Sequence, residues 1–296
     1  MREEIIRTDK IFTQSIACKN GIQLDILRFD QVHPVVSGNK YFKLKYYLQE
    51  AIAQKATEIV SFGGAYSNHI VATAFVCKAM GLKSTGIIRG EKPNRLSHTL
   101  QDSLQYGMEL IFTERMAYRD KQGLQEKYQQ DHQYWIPEGG YGITGAKGAA
   151  EMLDGIDNSY THVVAATGTG TMMAGFIKAA LPHQQIIGIN VMKGNEQLIH
   201  EVEALLTDEE KEKNYVLLNS YHFGGYAKQP TELFSFMNRL WHDYAIPTDF
   251  VYNSKSLYAI FDLLEKNYFE EGSKILAIQC GGLQGNLSLA GHVLDF

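Results

Sequence analysis

Short apolar runs alternate along this chain with longer stretches whose apolar positions recur every three or four residues. TEIVSFGG (57–64) reads as a buried strand that ends in glycines. YSNHIVATAFVCKAMG follows as a helix, with Ser67 near its start and Gly81 as its stop. LKSTGIIRG (82–90) is the next strand, SHTLQDSLQYG a helix with Ser97 as N-cap, and MELIFT (108–113) a third strand. A helix over 119–130 and a strand QYWIP (133–137) close this first series. A second series opens with a helical pattern at 143–156. It continues through a strand THVVAAT (161–167), a Gly/Thr loop with a helix to Ala180, and a strand QIIGINV (185–191). YVLL (215–218) reads as a further strand, TELFSFMNRLWHDYA (231–245) and SLYAIFDLLEKNYF as helices, and SKILAIQCGG (273–282) as the last strand.

Strand–helix alternation of this kind predicts an α/β fold with largely parallel sheets, and two series predict two lobes with a boundary near 140–155. In open α/β sheets ligands bind beyond the carboxyl ends of the strands. The small, polar turns GGAYSNH (63–69), ATGTGT (166–171), VYNSK (251–255) and QCGG (279–282) fall there, so their convergence would build a cleft between the lobes.

Composition narrows the function. The 296 residues suffice for a large core and two lobes. The charge is mildly acidic, 28 basic against 33 acidic residues with no basic block, which leaves no footprint for nucleic acid. MREEIIRTDK has no apolar signal region and no apolar run spans a bilayer, so the expectation is a cytoplasmic protein without a membrane role. Cys18, Cys77 and Cys280 are far apart and form no C-x-x-C pair, and the ten histidines include no H-E-x-x-H, so no metal site is expected.

The turns carry the chemistry. ATGTGTMMAG (166–175) couples a strand to a helix through glycines and hydroxyls. Bare N–H groups at a helix start, with Thr169 and Thr171 as extra donors, make an anion site that would suit a phosphate; the alternative is a tight turn with hydroxyl capping. No lysine follows at P-loop spacing, and the next strand ends in Asn190, Val191 and Met192 without the carboxylate of a dinucleotide site. GGAYSNH sets Ser67, Asn68 and His69 at another helix start, suited to a carboxylate or phenolate oxygen, or to plain N-capping by Ser67. Lys40 and Lys43, in SGNKYFKLKYYL, lie on one side of a helix. They are either a solvated basic face, which Lys45 nearby favours, or a pair in which one amine meets a phosphate and the other is nucleophilic.

A resemblance separates these readings. SGNKYFKLKYYL resembles the SGNK-x-x-KL segment of pyridoxal-phosphate enzymes of the tryptophan-synthase-β type (fold type II). Within that group it is similar to the 1-aminocyclopropane-1-carboxylate deaminase and D-cysteine desulfhydrase family. FGGAYSNH, PEGG (137–140), ATGTGTMMAG and DFVYNSK resemble further family segments, in family order from about residue 25 to 285. The resemblance implies two lobes, each with a twisted, mostly parallel sheet flanked by helices, and pyridoxal 5'-phosphate in the cleft between them. Residues 1–45 and 150–296 would form the larger, cofactor-binding lobe and 46–149 the smaller one, in a homodimer. It also implies that Lys40 holds the cofactor covalently, and that Lys43 approaches its phosphate, cupped by Gly168, Thr169, Gly170 and Thr171. Asn68 would meet the phenolate oxygen, and Ser67, Asn68 and His69 the substrate, with Tyr252 and Tyr226 on the substrate side.

Departures from the family pattern bear on the reaction. Tyr66 replaces a common glutamine, Met172 stands where threonine is frequent, and Ser254 replaces a glycine. Asn253 stands where deaminases carry glutamate, and Cys280 where desulfhydrases tend to have threonine; both are expected near the pyridine nitrogen. Neutral neighbours there make a milder electron sink, which favours β-elimination from a small amino acid such as D-cysteine over opening of a cyclopropane ring. Lys40 would be the base, with Tyr252 assisting. Two other classes stand beside this reading: an NAD(P)-binding oxidoreductase using ATGTGTMMAG, and a cofactor-binding protein without turnover.

Overall fold

The computed structural model describes residues 8–16, 21–36 and 38–296; Cys18 and Ser37 lie outside the described residues. In chain order the elements begin with β1 (Thr13–Ile16), β2 (Gln23–Arg28), α1 (Asn39–Ala53), β3 (Glu58–Gly63), α2 (Asn68–Met80), β4 (Lys83–Arg89) and α3 (His98–Gln105). Then come β5 (Met108–Thr113), α4 (Lys121–Tyr128), β6 (Gln133–Ile136), α5 (Ile143–Ala150), β7 (His162–Thr167), α6 (Thr171–Ala179) and β8 (Gln185–Asn190). The last are α7 (Leu198–Glu203), α8 (Asp208–Lys211), β9 (Tyr215–Leu218), α9 (Thr231–Tyr244), α10 (Asn253–Glu265) and β10 (Lys274–Gln279).

The strands form two sheets, in the orders β1-β2-β10-β7-β8-β9 and β5-β4-β3-β6. β1 pairs antiparallel with β2, and the other pairings of both sheets are parallel. Parallel strands are covered on both faces, which is why EIVSFG, HVVAAT and KILAIQ read as unbroken apolar runs. One buried cluster takes Ile59 and Ile136 from the smaller sheet, Val163 and Leu276 from the larger, and Leu44, Ala146 and Phe176 from α1, α5 and α6. A second cluster lies under α9 and α10, around Phe236, Leu240, Ile260 and Ile275.

Differences from the sequence reading have local causes. β1 and β2 escape it because β1 is a polar edge strand and Asp25 interrupts β2. Asp25 is buried there and accepts hydrogen bonds from Tyr160 Oη and Gln23 Nε2, both at 2.6 Å. The helix expected over 119–130 starts at Lys121, where Asp120 accepts from Gly123 N. The one expected over 143–156 leaves α geometry after Ala150. α10 starts three residues earlier than SLYAIF, because the VYNSK turn is its first turn.

Two backbone contacts set the cleft. α1 begins after Gly38, at φ 52°, where a Cβ would stand 1.9 Å from the carbonyl oxygen of Cys280. Only glycine brings the start of α1 onto the end of β10 in this way. At Gly148 of α5 a Cβ would stand 2.0 Å from Phe42 O, so α1 and α5 pack backbone to backbone.

Candidate active site

The carboxyl ends of six strands, from both sheets, open on one cavity of about 430 Å³. Its wall includes Gly64 beyond β3, Arg89 of β4, Glu138 beyond β6, Thr167 of β7, Met192 beyond β8 and Cys280 beyond β10. Of the residues singled out in the sequence, twelve line it: Lys40, Lys43, Ser67, Asn68, His69, Gly168, Thr169, Gly170, Tyr226, Tyr252, Asn253 and Cys280. Thr171 does not. It is fully buried behind Thr169, their hydroxyls 3.2 Å apart.

The two lysines occupy the first turn and a half of α1. Lys40 Nζ donates to Asn39 Oδ1 at 3.2 Å and Lys43 Nζ to Gly139 O at 3.4 Å. Neither has a carboxylate partner among the described residues. Burial pushes the Lys40 amine below its ordinary value. It pushes that of Lys43 well below, helped by the charge of Lys40. Two uncompensated cations in a protein interior are unfavourable, so these positions suit amines that react or that meet an anion. Lys45, by contrast, is a surface ion pair with Glu151 at 2.6 Å.

The start of α6 is bare. Its N-cap is Gly170, in a left-handed conformation with no side-chain cap, so its first N–H groups point to the cavity without a protein acceptor from a capping side chain. Gly168 has a different constraint: a Cβ there would press on the Tyr252 ring at 3.1 Å.

The start of α2 is capped. Ser67 Oγ accepts from Ile70 N at 3.3 Å, so its proton is free for another partner. Asn68 Oδ1 and His69 Nδ1 are buried without a partner. His69 Nε2 lies 2.9 Å from Ser61 Oγ, whose single proton goes to Ile136 O. The ring must therefore donate from Nε2, which leaves Nδ1 a bare acceptor. Burial and the two lysines hold the imidazole well below its ordinary pKa, so it is neutral. A neutral ring with a bare Nδ1 meets a hydrogen-bond donor and not an anion.

Below the lysines, Asp249 organises the start of α10. Its carboxylate accepts from the N–H groups of Val251, Tyr252 and Asn253 at 2.9, 2.7 and 2.9 Å, and from Asn253 Nδ2. Asn253 also donates to Gly281 O at 2.8 Å and accepts from Cys280 N at 3.0 Å. Asn253 lines the cavity beside Cys280, and both of its N–H donors are taken, so it has no donor left for a ring nitrogen. Cys280 remains on this wall. Burial pushes its thiol up to about 12, and its Sγ lies 3.3 Å from Met172 Sδ. Tyr252 and Tyr226 meet edge to face with centroids 6.3 Å apart; burial raises the Tyr252 phenol well above its ordinary range.

Arg89, Glu138 and Met192 were missed as site residues, although the rule that ligands lie beyond the carboxyl ends of strands points to IIRG, PEGG and NVM as readily as to the turns chosen. Glu138 is the one carboxylate on the wall, and it is paired with Lys121 at 3.0 Å. Arg89 has no acidic partner among the described residues.

A pyridoxal phosphate fits this donor set. The group offers a dianion, an aldehyde and a phenolate oxygen. The wall offers two buried amines without a carboxylate partner among the described residues, a helix start with no side-chain cap, and buried polar atoms of Asn68 and His69 that lack partners. No group of side chains among the described residues could hold a metal ion, and no helix there is long and apolar enough to cross a membrane.

Comparison with known proteins agrees. A Thermotoga maritima protein provisionally named as a 1-aminocyclopropane-1-carboxylate deaminase is 30% identical over 93% of this chain and 93% of its own length. A bifunctional D-cysteine desulfhydrase/1-aminocyclopropane-1-carboxylate deaminase of Arabidopsis thaliana is 27% identical over 90% of this chain and 74% of that protein. The crystal structure of a 1-aminocyclopropane-1-carboxylate deaminase homologue superposes with a TM-score of 0.77 at 24% identity, covering 93% of this chain and 90% of its own, which shows the expected fold type II architecture. The family of pyridoxal-phosphate dependent enzymes matches residues 5–281, nearly the whole chain, and this protein belongs to it.

Proposed function

We propose that the enzyme is a lyase that catalyses α,β-elimination from a small amino acid, D-cysteine first, giving pyruvate, ammonia and sulfide with uptake of one water. The observation that carries this reading is the charge of the cavity wall. Its one carboxylate, Glu138, is tied to Lys121, and the wall near Lys40 ends in the neutral thiol of Cys280. When bound, pyridoxal phosphate draws electrons from the substrate's Cα, and less strongly where no carboxylate keeps its ring nitrogen protonated. A milder sink suits loss of an α-proton and departure of a good leaving group such as thiolate. Opening of a cyclopropane ring, the second reading, is favoured instead by the names of the relatives.

The residues divide the work by what they have free. Lys40 would hold the cofactor, and its amine, when free, would take the proton from the substrate's Cα; its lowered pKa leaves more of it unprotonated. Lys43, Gly168, Thr169, Gly170 and the bare start of α6 hold the phosphate, with Thr171 behind them. Asn68 orients the phenolate oxygen. The free Ser67 proton and the Arg89 guanidinium meet the substrate carboxylate, and His69 accepts from a lysine amine. Tyr252 and Tyr226 close the substrate side and exclude water. In this assignment residues 1–45 and 150–296 carry the cofactor, residues 46–149 close over the substrate, and the protein works in the cytoplasm as a homodimer.

The test is paired. Pyruvate and sulfide from D-cysteine are measured beside 2-oxobutanoate from 1-aminocyclopropane-1-carboxylate. Faster turnover of the cyclopropane substrate overturns the first reading in favour of the second. In either case Lys40→Ala is expected to lose the visible band of the lysine-linked cofactor and to slow turnover by about 10²–10⁴. An unchanged spectrum removes Lys40 from its role.

A further inference from the structure

Lys255 is fully buried in the first turn of α10, and the site as described does not use it. A cation there is opposed by desolvation and by the positive end of the helix dipole. Its ammonium has no carboxylate in contact. It donates instead to three backbone carbonyls: Val191 O at 3.3 Å, His222 O at 3.0 Å and Gly225 O at 2.8 Å. An ammonium has three N–H donors, so this cage is complete. Burial pulls the amine down to about 8, with Asp249 pulling it back up, so it keeps its proton at neutral pH.

The three carbonyls belong to segments that supply the cavity wall. Val191 precedes Met192 of the wall. His222 and Gly225 belong to the loop that carries Tyr226, which has left-handed backbone at Phe223, Gly224, Gly225 and Ala227. Phe223 and Ala227 hold that conformation without being glycine, which is a strained arrangement that something must enforce. Two turn hydrogen bonds within the loop end on the same carbonyls, Gly225 N donating to His222 O at 2.9 Å and Lys228 N to Gly225 O at 3.4 Å. His222 Nδ1 accepts from Gly224 N, and Phe223 packs edge to face on Tyr258 at 4.8 Å.

We infer that Lys255 is a positioning residue that acts as a tethered monovalent cation: its ammonium gathers the carbonyls of Val191, His222 and Gly225 and so fixes Tyr226 and Met192 on the cavity wall. It touches no reacting atom. The inference rests on the proposed function only for the statement that Tyr226 faces substrate; the cage itself does not depend on it.

A tethered cation can be replaced by a free one. Lys255→Ala leaves a hole ringed by three inward carbonyls, the kind of oxygen cluster that accepts potassium or ammonium. Lys255→Met fills the same hole with an apolar chain. Both holoenzymes are compared with wild type in potassium, ammonium and choline chloride at equal ionic strength. In choline, both variants are expected to keep the visible cofactor band and to raise the substrate KM by about ten- to a hundredfold, with a smaller loss in kcat. Potassium or ammonium is expected to restore most of the KM of Lys255→Ala, to leave Lys255→Met impaired, and not to affect wild type. Thermal melts run in parallel, and Lys255→Ala alone is expected to show a higher Tm in potassium than in choline. A wild-type KM of Lys255→Ala in choline, or a loss that all three salts affect alike, overturns the inference. If Lys255→Ala does not fold in choline, the melts decide: no cation-specific recovery of folding overturns it. If no amino acid is turned over by wild type, the functional reading fails but the melts still test the cage.

Discussion

Two helices aim their starts at the same cavity and are treated in opposite ways. α10 begins on Asp249, whose carboxylate accepts three backbone N–H groups and an Asn253 amide; the positive end of that helix is closed from within. α6 begins on Gly170 with no side-chain cap. A helix start left bare beside two buried amines is under-satisfied by the protein and completed by an external anion, whereas a start capped by its own buried carboxylate is part of the scaffold. The contrast separates stability from binding in neighbouring stretches of similar composition.

The contrast can be broken by exchange. Asp249→Ala strips four hydrogen bonds from a buried carboxylate site and leaves their donors unpaired. A loss of roughly 3 kcal/mol or more is expected in denaturant unfolding. If unfolding is unchanged, α10 is not held by its cap and the distinction fails. Thr169→Val acts at the other start. Loss of one hydrogen bond to a charged group, about 1.5–3 kcal/mol, is expected to weaken cofactor binding roughly ten- to a hundredfold with little effect on folding. Titration of the cofactor-free protein checks this, and wild-type affinity removes Thr169 from the phosphate cup.

The smallest effect sharpens the electrostatics. His69 is neutral when folded, its pKa well below 6.5. In the unfolded chain it takes up a proton as pH falls through about 6.5, so acid favours unfolding. Between pH 7.5 and 5.5 wild type is expected to lose about 1.4 kcal/mol more stability than His69→Gln. Equal losses would mean that the imidazole is protonated in the fold.

The parallel strands were legible because burial on both faces leaves an unbroken apolar run, as in HVVAAT. The turns were legible because glycines and hydroxyls cluster where strands stop. What stayed hidden depends on contacts across the chain. Asp25 masks β2 because its partner Tyr160 lies 135 residues away. Asn253 lines the cavity as its place in the VYNSK turn suggested, but its amide is consumed by Asp249 and Gly281, a bonding pattern no local motif spells out. The tautomer of His69 depends on a serine whose own proton is committed to another strand.

The contact between Gly38 and Cys280 has a consequence for how this enzyme could change. The start of α1 leans on the carbonyl of Cys280, a group that every amino acid carries, and the Asn39 main-chain N–H also donates to its thiol. The lysine that must be placed with the greatest accuracy is thus indexed to residue 280 through both its main chain and its side chain. Substitution at 280 that alters the polarity of the cavity floor also removes the sulfur that the start of α1 meets, and only the carbonyl contact is kept. In such a scaffold the reaction's electronic demand and its geometry meet in one residue, so a change selected for one is felt by the other.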